Sequence, residues 1–382
     1  MERVFFIITY TLFFRQNMKR TILLTFILTL VSNLMAQNTE FKDFETQKLL
    51  DEIKTVASNG KTIFGVANGV SMNFDNPLSQ KPIIGDCKQI TGKNPKFIEN
   101  DFLFSSQKEF WQQEISATKE FHKNGGIVGY CWHLESRKSK NFRTNSIDSL
   151  TAKNIISKTE NEDKKWFLSL IDTLLTPTFK NLGFPILFRP FHEMNGGWFW
   201  WGKTSIKPTE YVELYRLTVE RLRENGVKNL LYVFAPDTYW QEEYYPGDDY
   251  VDIIGVDAYE PGCSPYHGKK TFERELKKML QFAQNHSKAA AISETGLREI
   301  DGVYNYPEKI PDFWTKYVLK ALNRNPGISY VMAWYNADWK HDGKGPAYIP
   351  HKDFQKLFHE KGEKAVQDFK NFSKNQRMIF LE

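Results

Sequence analysis

Short apolar runs recur along the chain, and longer segments of mixed polarity separate them. Runs of this kind, placed between segments long enough to form helices, are typical of parallel strands that are covered on both faces. We predict eight such strands: Thr62–Val66, Lys96–Glu99, Ile127–Trp132, Ile186–Phe191, Leu230–Ala235, Ile253–Ala258, Ala289–Ser293 and Tyr330–Trp334.

The segments between these runs carry helical periodicity. In Thr209–Asn225 the apolar residues recur at spacings of three and four, with Pro208 at the start and Gly226 just past the end. Asp163–Leu175 and Thr271–Gln284 have the same pattern. We therefore predict amphipathic helices in all three segments.

Eight strands that alternate with helices predict an α/β fold, the (β/α)8 TIM barrel, with a doubly wound open sheet as the alternative. The stretch at 133–184, between the third and fourth strands, is unusually long. We expect it to carry an extra loop over the mouth of the barrel.

The amino terminus has the three regions of a secretory signal. Met18-Lys19-Arg20 is basic, Thr21–Val31 is apolar, and Asn33–Gln37 contains a candidate cleavage site after Ala36, although Leu34 is larger than the residue usual at that position. We predict a signal peptide over residues 1–36 that is cleaved after Ala36, with translation starting at Met18 and 1–17 as an upstream extension. Residues 37–382 would form one domain of a secreted or periplasmic protein without an integral membrane segment. An uncleaved membrane anchor is the alternative.

Composition excludes some partners. The net charge of +5 is small for 382 residues, and no Lys/Arg run interleaves with aromatic residues, so we do not expect nucleic-acid binding. Cys87, Cys131 and Cys263 are widely spaced and include no CxxC pair, which argues against a zinc site. We expect three reduced, buried cysteines, with one disulfide and a free thiol as the alternative.

Charged and aromatic residues concentrate where the predicted strands end. The fourth strand runs into FRPFHEMNGGWFWWG at 188–202, which offers a carboxylate beside indole rings, a combination that suits a sugar. In a barrel the carboxyl ends of the strands hold the active site. The residues that we expect there are His133, Arg189, His192, Glu193, Trp198, Asp257, Tyr259, Glu294 and Trp334.

Two glutamates suit the hydrolysis of a glycosidic bond, which needs one carboxyl group as acid and a second as nucleophile or base. Glu193 and Glu294 end the fourth and seventh strands, which face each other across an eight-stranded barrel. Aromatic neighbours would desolvate Glu193 and raise its pKa, which suits the acid. Arg189 or Tyr259 could hold Glu294 ionised as the nucleophile.

Other chemistries fit less well. A metalloprotease HExxH motif would need a second histidine at Gly196. A nucleophile elbow around Ser293 would need glycines at Ala291 and Thr295. Asp237, Asp252 and Asp257 form no tight sequence cluster for a metal, and we expect them to be solvated or to line the barrel.

The motif RPFHEMNGGWFWWG closely resembles the acid/base motif of glycoside hydrolase family 26, best known for endo-β-1,4-mannanases. AISETG resembles the nucleophile motif of that family, and GVDAY and MAWYNA resemble its segments at the sixth and eighth strands. The resemblance runs from about Lys61 to Asp338. One difference is the GVAN sequence at Gly65–Asn68, where many relatives have a GHQ or GHD type on the glycone side of the cleft.

The resemblance implies a retaining mechanism in a catalytic domain of residues 37–382, with no metal or organic cofactor. It makes Glu193 the general acid/base and Glu294 the nucleophile. His192 would orient the site and Tyr259 would hydrogen-bond the nucleophile. The implied sugar contacts are Trp334 as the floor at the point of cleavage and His133 and Trp198 on either side.

The resemblance implies a β-mannan-type polysaccharide or oligosaccharide as substrate. β-1,3-Xylan or mixed-linkage β-glucan would leave the mechanism unchanged. A catalytically silent carbohydrate-binding barrel is a third possibility, which the presence of both carboxylates disfavours.

Overall fold

A computed structural model describes residues 41–260, 263, 268–297, 310–343 and 345–382. Eight parallel strands follow each other around a closed barrel, because the first strand pairs with both the second and the last. The predicted (β/α)8 barrel is confirmed, and the open doubly wound sheet is wrong. The barrel strands are Thr62–Ala67, Phe97–Asp101, Ile127–Trp132, Ile186–Pro190, Leu230–Phe234, Ile253–Ile254, Ala289–Thr295 and Ile328–Ala333.

Helices cover the outside of the barrel. The segment that we predict as helix Thr209–Asn225 forms a helix at Pro208–Glu224. The Asp163–Leu175 prediction corresponds to a helix at Glu162–Leu170 that continues through a wider π turn. The α-helices among the described residues are Phe44–Ser58, Asp86–Thr91, Lys108–Lys123, Thr151–Ile156, Glu162–Leu170, Thr176–Leu182, Pro208–Glu224, Gly268–Asn285, Lys320–Arg324 and Phe354–Lys374, the last of which is broken at His359.

Two short strands lie beside the barrel. Met378–Leu381, near the carboxyl terminus, pairs in parallel with the first barrel strand and antiparallel with Asn94–Pro95. Neither short strand was predicted from the sequence. Within the described residues, no helix combines the length and apolar character needed to cross a bilayer.

The interior of the barrel is apolar at one end and charged at the other. Leu187 and Arg189 share one face of the fourth strand, because side chains alternate along a strand. Leu187 packs in the central apolar core, and helix Phe44–Ser58 adds Leu50 and Ile53 to the same core. The helix closes the amino-terminal end of the barrel, so the charged groups lie at the opposite, carboxyl-terminal end.

The sixth strand departs most from its predicted bounds. Only Ile253–Ile254 forms a regular strand, but backbone hydrogen bonds to the seventh strand continue as far as Ala258. Gly255 allows this close approach, because a Cβ atom there would lie 2.4 Å from the Ser293 hydroxyl. The chain thus delivers Asp257 to the barrel mouth without a regular strand.

All three cysteines are free thiols, as predicted. Cys87 and Cys131 are buried, whereas Cys263 is only partly buried, so the expectation of three buried cysteines is wrong for Cys263. The predicted signal peptide at 1–36 lies outside the described residues.

Candidate active site

A buried arginine organises the carboxyl end of the barrel. Arg189 has no solvent exposure, and its Nε donates to both Glu99 carboxylate oxygens at 3.1 Å. Its Nη1 donates to Asp257 at 2.9 Å and its Nη2 to Glu294 at 2.5 Å. One guanidinium therefore ties together side chains from the second, fourth, sixth and seventh strands.

Glu294 is held through both of its carboxylate oxygens. Oε1 accepts from Arg189, and Oε2 accepts from the Tyr259 hydroxyl at 2.6 Å. Both donors were predicted for Glu294. Two hydrogen bonds on different oxygens fix the orientation of the carboxylate, and the guanidinium balances its charge.

Asp257 lies beneath this arrangement. Its second oxygen accepts from the Ser293 hydroxyl at 2.7 Å. Burial and the nearby Glu294 carboxylate raise the pKa of Asp257 well above its usual range, although Arg189 opposes this effect. Burial raises the pKa of Glu99 in the same way. The predicted barrel-lining position of Asp257 is therefore observed, and it is paired rather than solvated.

Glu193 lies on a sharply turned segment after the fourth strand. Phe191 and Glu193 have φ angles of +52° and +53°, values that are costly for residues with a side chain. The Glu193 amide donates to the Ala235 carbonyl at 2.8 Å, which links this turn to the fifth strand. Such contacts hold the strained turn in this conformation. The turn presents the Glu193 carboxyl group at the barrel mouth.

The environment of Glu193 favours its protonated form. The side chain is nearly buried, with 8% exposed, and the Trp198 indole donates to its Oε2 at 2.6 Å. Burial, then the charges of Glu294 and Asp237, raise the pKa of Glu193 to about 8. The carboxyl group therefore holds a proton at neutral pH, as a general acid must.

The three tryptophans of the motif have different positions. Trp200 and Trp201 are fully buried, and their indoles donate to the carbonyls of Leu134 and His192. Trp198 is only partly buried. Of these three tryptophans, Trp198 is therefore the one that can face the cleft, as the sequence analysis expects of at least one of them.

The stretch between the third and fourth strands reaches this turn, in line with the expected extra loop. Thr144 donates its amide to the Trp198 carbonyl at 2.8 Å, and Arg143 pairs with Phe199 in an antiparallel bridge. This loop therefore supports the wall that carries Glu193 and Trp198.

Two histidines pack against each other beside the carboxylates. Their rings are 4.5 Å apart, and the His133 ring lies 5.8 Å from Trp334. Asp101 accepts from His133 Nδ1 at 2.6 Å. Burial and the Arg189 charge lower the pKa of His192 well below its usual range, so His192 is neutral. The structure therefore brings the predicted sugar-contact residues together around Glu193 and Glu294.

In the part of the chain that the structure describes, two groups of side chains have donor atoms close enough to share a metal ion. They are Asp101, Cys131 and His133, and His192, Asp257 and Glu294. In the first group His133 already bonds Asp101, and in the second the Arg189 guanidinium bonds both carboxylates. A cation would have to displace these contacts.

Glu99 and Asp101 are site residues that the sequence patterns did not predict. Both lie in the second barrel strand, which extends to Asp101 rather than ending at Glu99. Three successive polar residues, Glu99 to Asp101, resemble a loop in sequence. Their burial at the end of a strand shows instead that this strand supplies anchors to the site.

The chain is similar to known glycosyl hydrolases in both sequence and structure. The sequence model of glycosyl hydrolase family 26 matches residues 39–342. The chain is 28% identical over 364 residues to a mannan endo-1,4-β-mannosidase of Bifidobacterium adolescentis, covering 88% of this chain and 34% of that protein. It is 34% identical over 233 residues to a mannan endo-1,4-β-mannosidase of Bacillus subtilis, covering 57% of this chain and 59% of that protein.

A similar solved structure is that of a family 26 β-mannanase from Bacteroides ovatus, with a TM-score of 0.74 and 26% identity. The match covers 89% of this chain and 96% of that one. The matches to the curated relatives, by contrast, span between about a third and three fifths of their lengths.

Proposed function

The chain belongs to glycosyl hydrolase family 26, and from this membership we propose that it hydrolyses β-1,4-mannosidic bonds within mannan, glucomannan or galactomannan. The mannanase activities of the Bifidobacterium, Bacillus and Bacteroides relatives support the choice of polymer. The contrast between two carboxyl groups carries the proposal: burial of Glu193 beside Trp198, together with nearby negative charges, raises its pKa to about 8, while Glu294 is oriented by Arg189 and Tyr259.

The reaction would proceed with retention in two steps. In the first, Glu294 attacks the anomeric carbon while Glu193 gives its proton to the leaving oxygen, which forms a covalent glycosyl-enzyme intermediate. In the second, Glu193 takes a proton from water, and that water displaces Glu294 from the sugar. Trp334, His133, His192 and Trp198 would contact the sugars around the cleaved bond.

The experiment compares the purified protein with Glu294→Ala and Glu193→Gln on mannan, glucomannan, β-1,3-xylan and mixed-linkage glucan, with new reducing ends as the readout. We expect the wild type to release reducing ends from the mannans. In both variants the rate of release should be at least about 100-fold lower. Glu243→Ala, which removes an exposed carboxylate near the strand-five loop, serves as the matched control.

The outcomes separate the alternatives. If new reducing ends appeared only with xylan or glucan, that polymer would be the substrate instead of mannan, and the proposed mechanism would be unchanged. No release from any polymer, with retained binding, would favour the silent carbohydrate-binding barrel. Equal activity of Glu294→Ala and the wild type would overturn the nucleophile assignment.

We further propose that the protein is exported, with cleavage after Ala36, because the basic and apolar regions at 18–31 have the composition of a secretory signal. Expression of the full chain followed by amino-terminal sequencing of the extracellular or periplasmic fraction tests this. A mature terminus at Gln37 is expected. Retention of the full chain in the cell membrane would support an uncleaved anchor instead.

A further inference from the structure

Trp339 is an exposed tryptophan at the active end of the barrel. It follows the eighth strand, and 41% of its surface is exposed. The other strongly exposed aromatic side chains among the described residues are Phe41, Phe44 and Tyr239. Phe41 and Phe44 lie at the closed, amino-terminal end, where an exposed ring has no access to the site. An exposed indole at the barrel mouth offers a flat apolar face to a ligand.

Hydrogen bonds at Asp338 tie the segment that carries Trp339 to its surroundings. The Asp338 amide donates to the Phe74 carbonyl at 2.8 Å, and the Asp338 carboxylate accepts from the Gly343 amide at 2.8 Å. Gly345 packs so closely that a Cβ atom there would lie 2.0 Å from the Ala337 carbonyl oxygen. Rigid presentation of an exposed ring lowers the entropy cost of binding a ligand to it.

Aromatic rings link Trp339 to the reaction centre. The Trp334 and Tyr335 rings are 5.0 Å apart, and Tyr335 meets Trp339 edge-on at 6.2 Å. The buried Phe104 supports the indole in a stacked arrangement at 6.3 Å, with planes 29° apart. Phe104 can cover only one face of the indole, and this arrangement extends the Trp334 floor towards solvent.

We propose that Trp339 is a stacking platform for a sugar ring on the glycone side of the cleft, beyond the sugar that lies on Trp334. The inference rests on the proposed function and adds a binding site to it. The apolar face of a pyranose ring matches an indole whose other face is already supported.

The position of Trp339 determines the side of the cleft. Its turn is bonded to the loop after the first strand through Phe74 and follows the eighth strand, next to the strand that carries Glu294. Glu193 and Trp198 lie across the mouth, on the fourth-strand loop. A polysaccharide between them would leave its departing end beside Glu193 and its glycone end over Trp339.

The test measures kcat/KM for manno-oligosaccharides from mannobiose to mannohexaose. Mannobiose that is cleaved has a single glycone sugar, on Trp334, so in the wild type kcat/KM should rise with chain length as a second glycone sugar reaches the platform. In Trp339→Ala the ratio of mannohexaose to mannobiose should fall about tenfold, because remote binding energy contributes to the transition state. Trp339→Phe should keep most of the ratio. Phe44→Ala, the control at the closed end, should not change it.

Binding provides a second readout that needs no catalysis. In the Glu193→Gln background, calorimetry should show mannohexaose binding about tenfold more weakly after Trp339→Ala and unchanged after Phe44→Ala. An unchanged length dependence together with unchanged mannohexaose binding would overturn the platform. A wild type that cleaves no mannan would instead overturn the proposed function, and calorimetry would still decide the platform.

Discussion

Glu193 and Glu294 share one buried site, but they have different hydrogen-bond partners. Glu193 accepts a single hydrogen bond from Trp198 and faces the negative charges of Glu294 and Asp237. Glu294 accepts from a guanidinium and a phenol. An acid and a nucleophile made from the same residue type therefore differ through what surrounds them.

The first prediction concerns the pH dependence of activity. The acid form of Glu193 is lost as the pH rises through about 8, so kcat/KM should fall on the basic side near that pH. Asp237 raises the pKa of Glu193 by charge repulsion, so Asp237→Asn should move the basic limb to lower pH. The measurement is the pH profile of kcat/KM for both proteins.

The control for this prediction is Asp249→Asn, which removes an exposed carboxylate beyond the fifth-strand loop. Its basic limb should coincide with that of the wild type. A limb that stays in place or moves upward in Asp237→Asn would show that Asp237 does not act on the acid.

The limits of sequence analysis are clearest at single residues. Glu193, Glu294, Arg189 and Tyr259 come together as the sequence patterns predict. Glu99 could not be found in this way, because its importance comes from the register that places it opposite Gly129, one strand away from Arg189. The contact between Glu99 on the second strand and Arg189 on the fourth forms only when the strands assemble into the barrel. No local sequence pattern indicates it.

Among the structural elements, the loops after the fourth and fifth strands act as one unit. The buried Asn195 side chain accepts from the Asp237 amide at 2.8 Å and donates to the Tyr239 carbonyl at 2.7 Å. Asn195 lies two residues after Glu193, so these hydrogen bonds also restrain the strained turn that carries the acid.

The second prediction is that Asn195→Ala loosens this unit. Loss of the side-chain amide removes the hydrogen bonds to the Asp237 amide and the Tyr239 carbonyl, which should lower the free energy of unfolding by about 1–3 kcal/mol. Because Glu193 loses its support, kcat should fall more than KM rises. Thermal or denaturant unfolding and steady-state kinetics on mannan measure the two effects.

Asn124→Ala is the matched control, since the Asn124 side chain bonds only to exposed Glu120 groups at the end of a helix. It should change stability by less than about 0.5 kcal/mol and leave kcat unchanged. An Asn195→Ala protein with wild-type kcat would show that the turn holds Glu193 without help from the neighbouring loop.

At the scale of elements, periodicity predicted which segments form strands and helices but not where each ends. The fourth strand runs from Ile186 as predicted, because its apolar run begins there. The second strand extends two residues further than predicted, through Asn100 and Asp101. Both side chains are polar and buried, and a sequence pattern does not predict polar residues in a buried strand. The π turn at Ile171–Leu175 has no sequence signature distinct from that of a regular helix.

The whole barrel depends on its last helix and strand. Helix Phe354–Lys374 places Phe369 and Phe372 against Phe64 of the first strand, at ring distances of 5.6 and 5.5 Å. Phe380 of the final short strand stacks on the other side of this cluster, 4.8 Å from Phe64. The carboxyl-terminal segment therefore covers the point at which the first and eighth strands close the barrel.

The third prediction follows from this closure. Phe372 is fully buried, so Phe372→Ala should lower the free energy of unfolding by about 3–5 kcal/mol. Because the cluster includes the first strand, the loss should appear in a single cooperative transition that is followed equally by far-UV circular dichroism and by enzymatic activity on heating. Leu357→Ala, before the break in this helix at His359, where the side chain is 40% exposed, should change stability by less than about 0.5 kcal/mol. If the Phe372→Ala helix melted first while activity persisted to the wild-type temperature, the closing helix would be an independent appendage, and the integrity of the active site would rest on the eight strands alone.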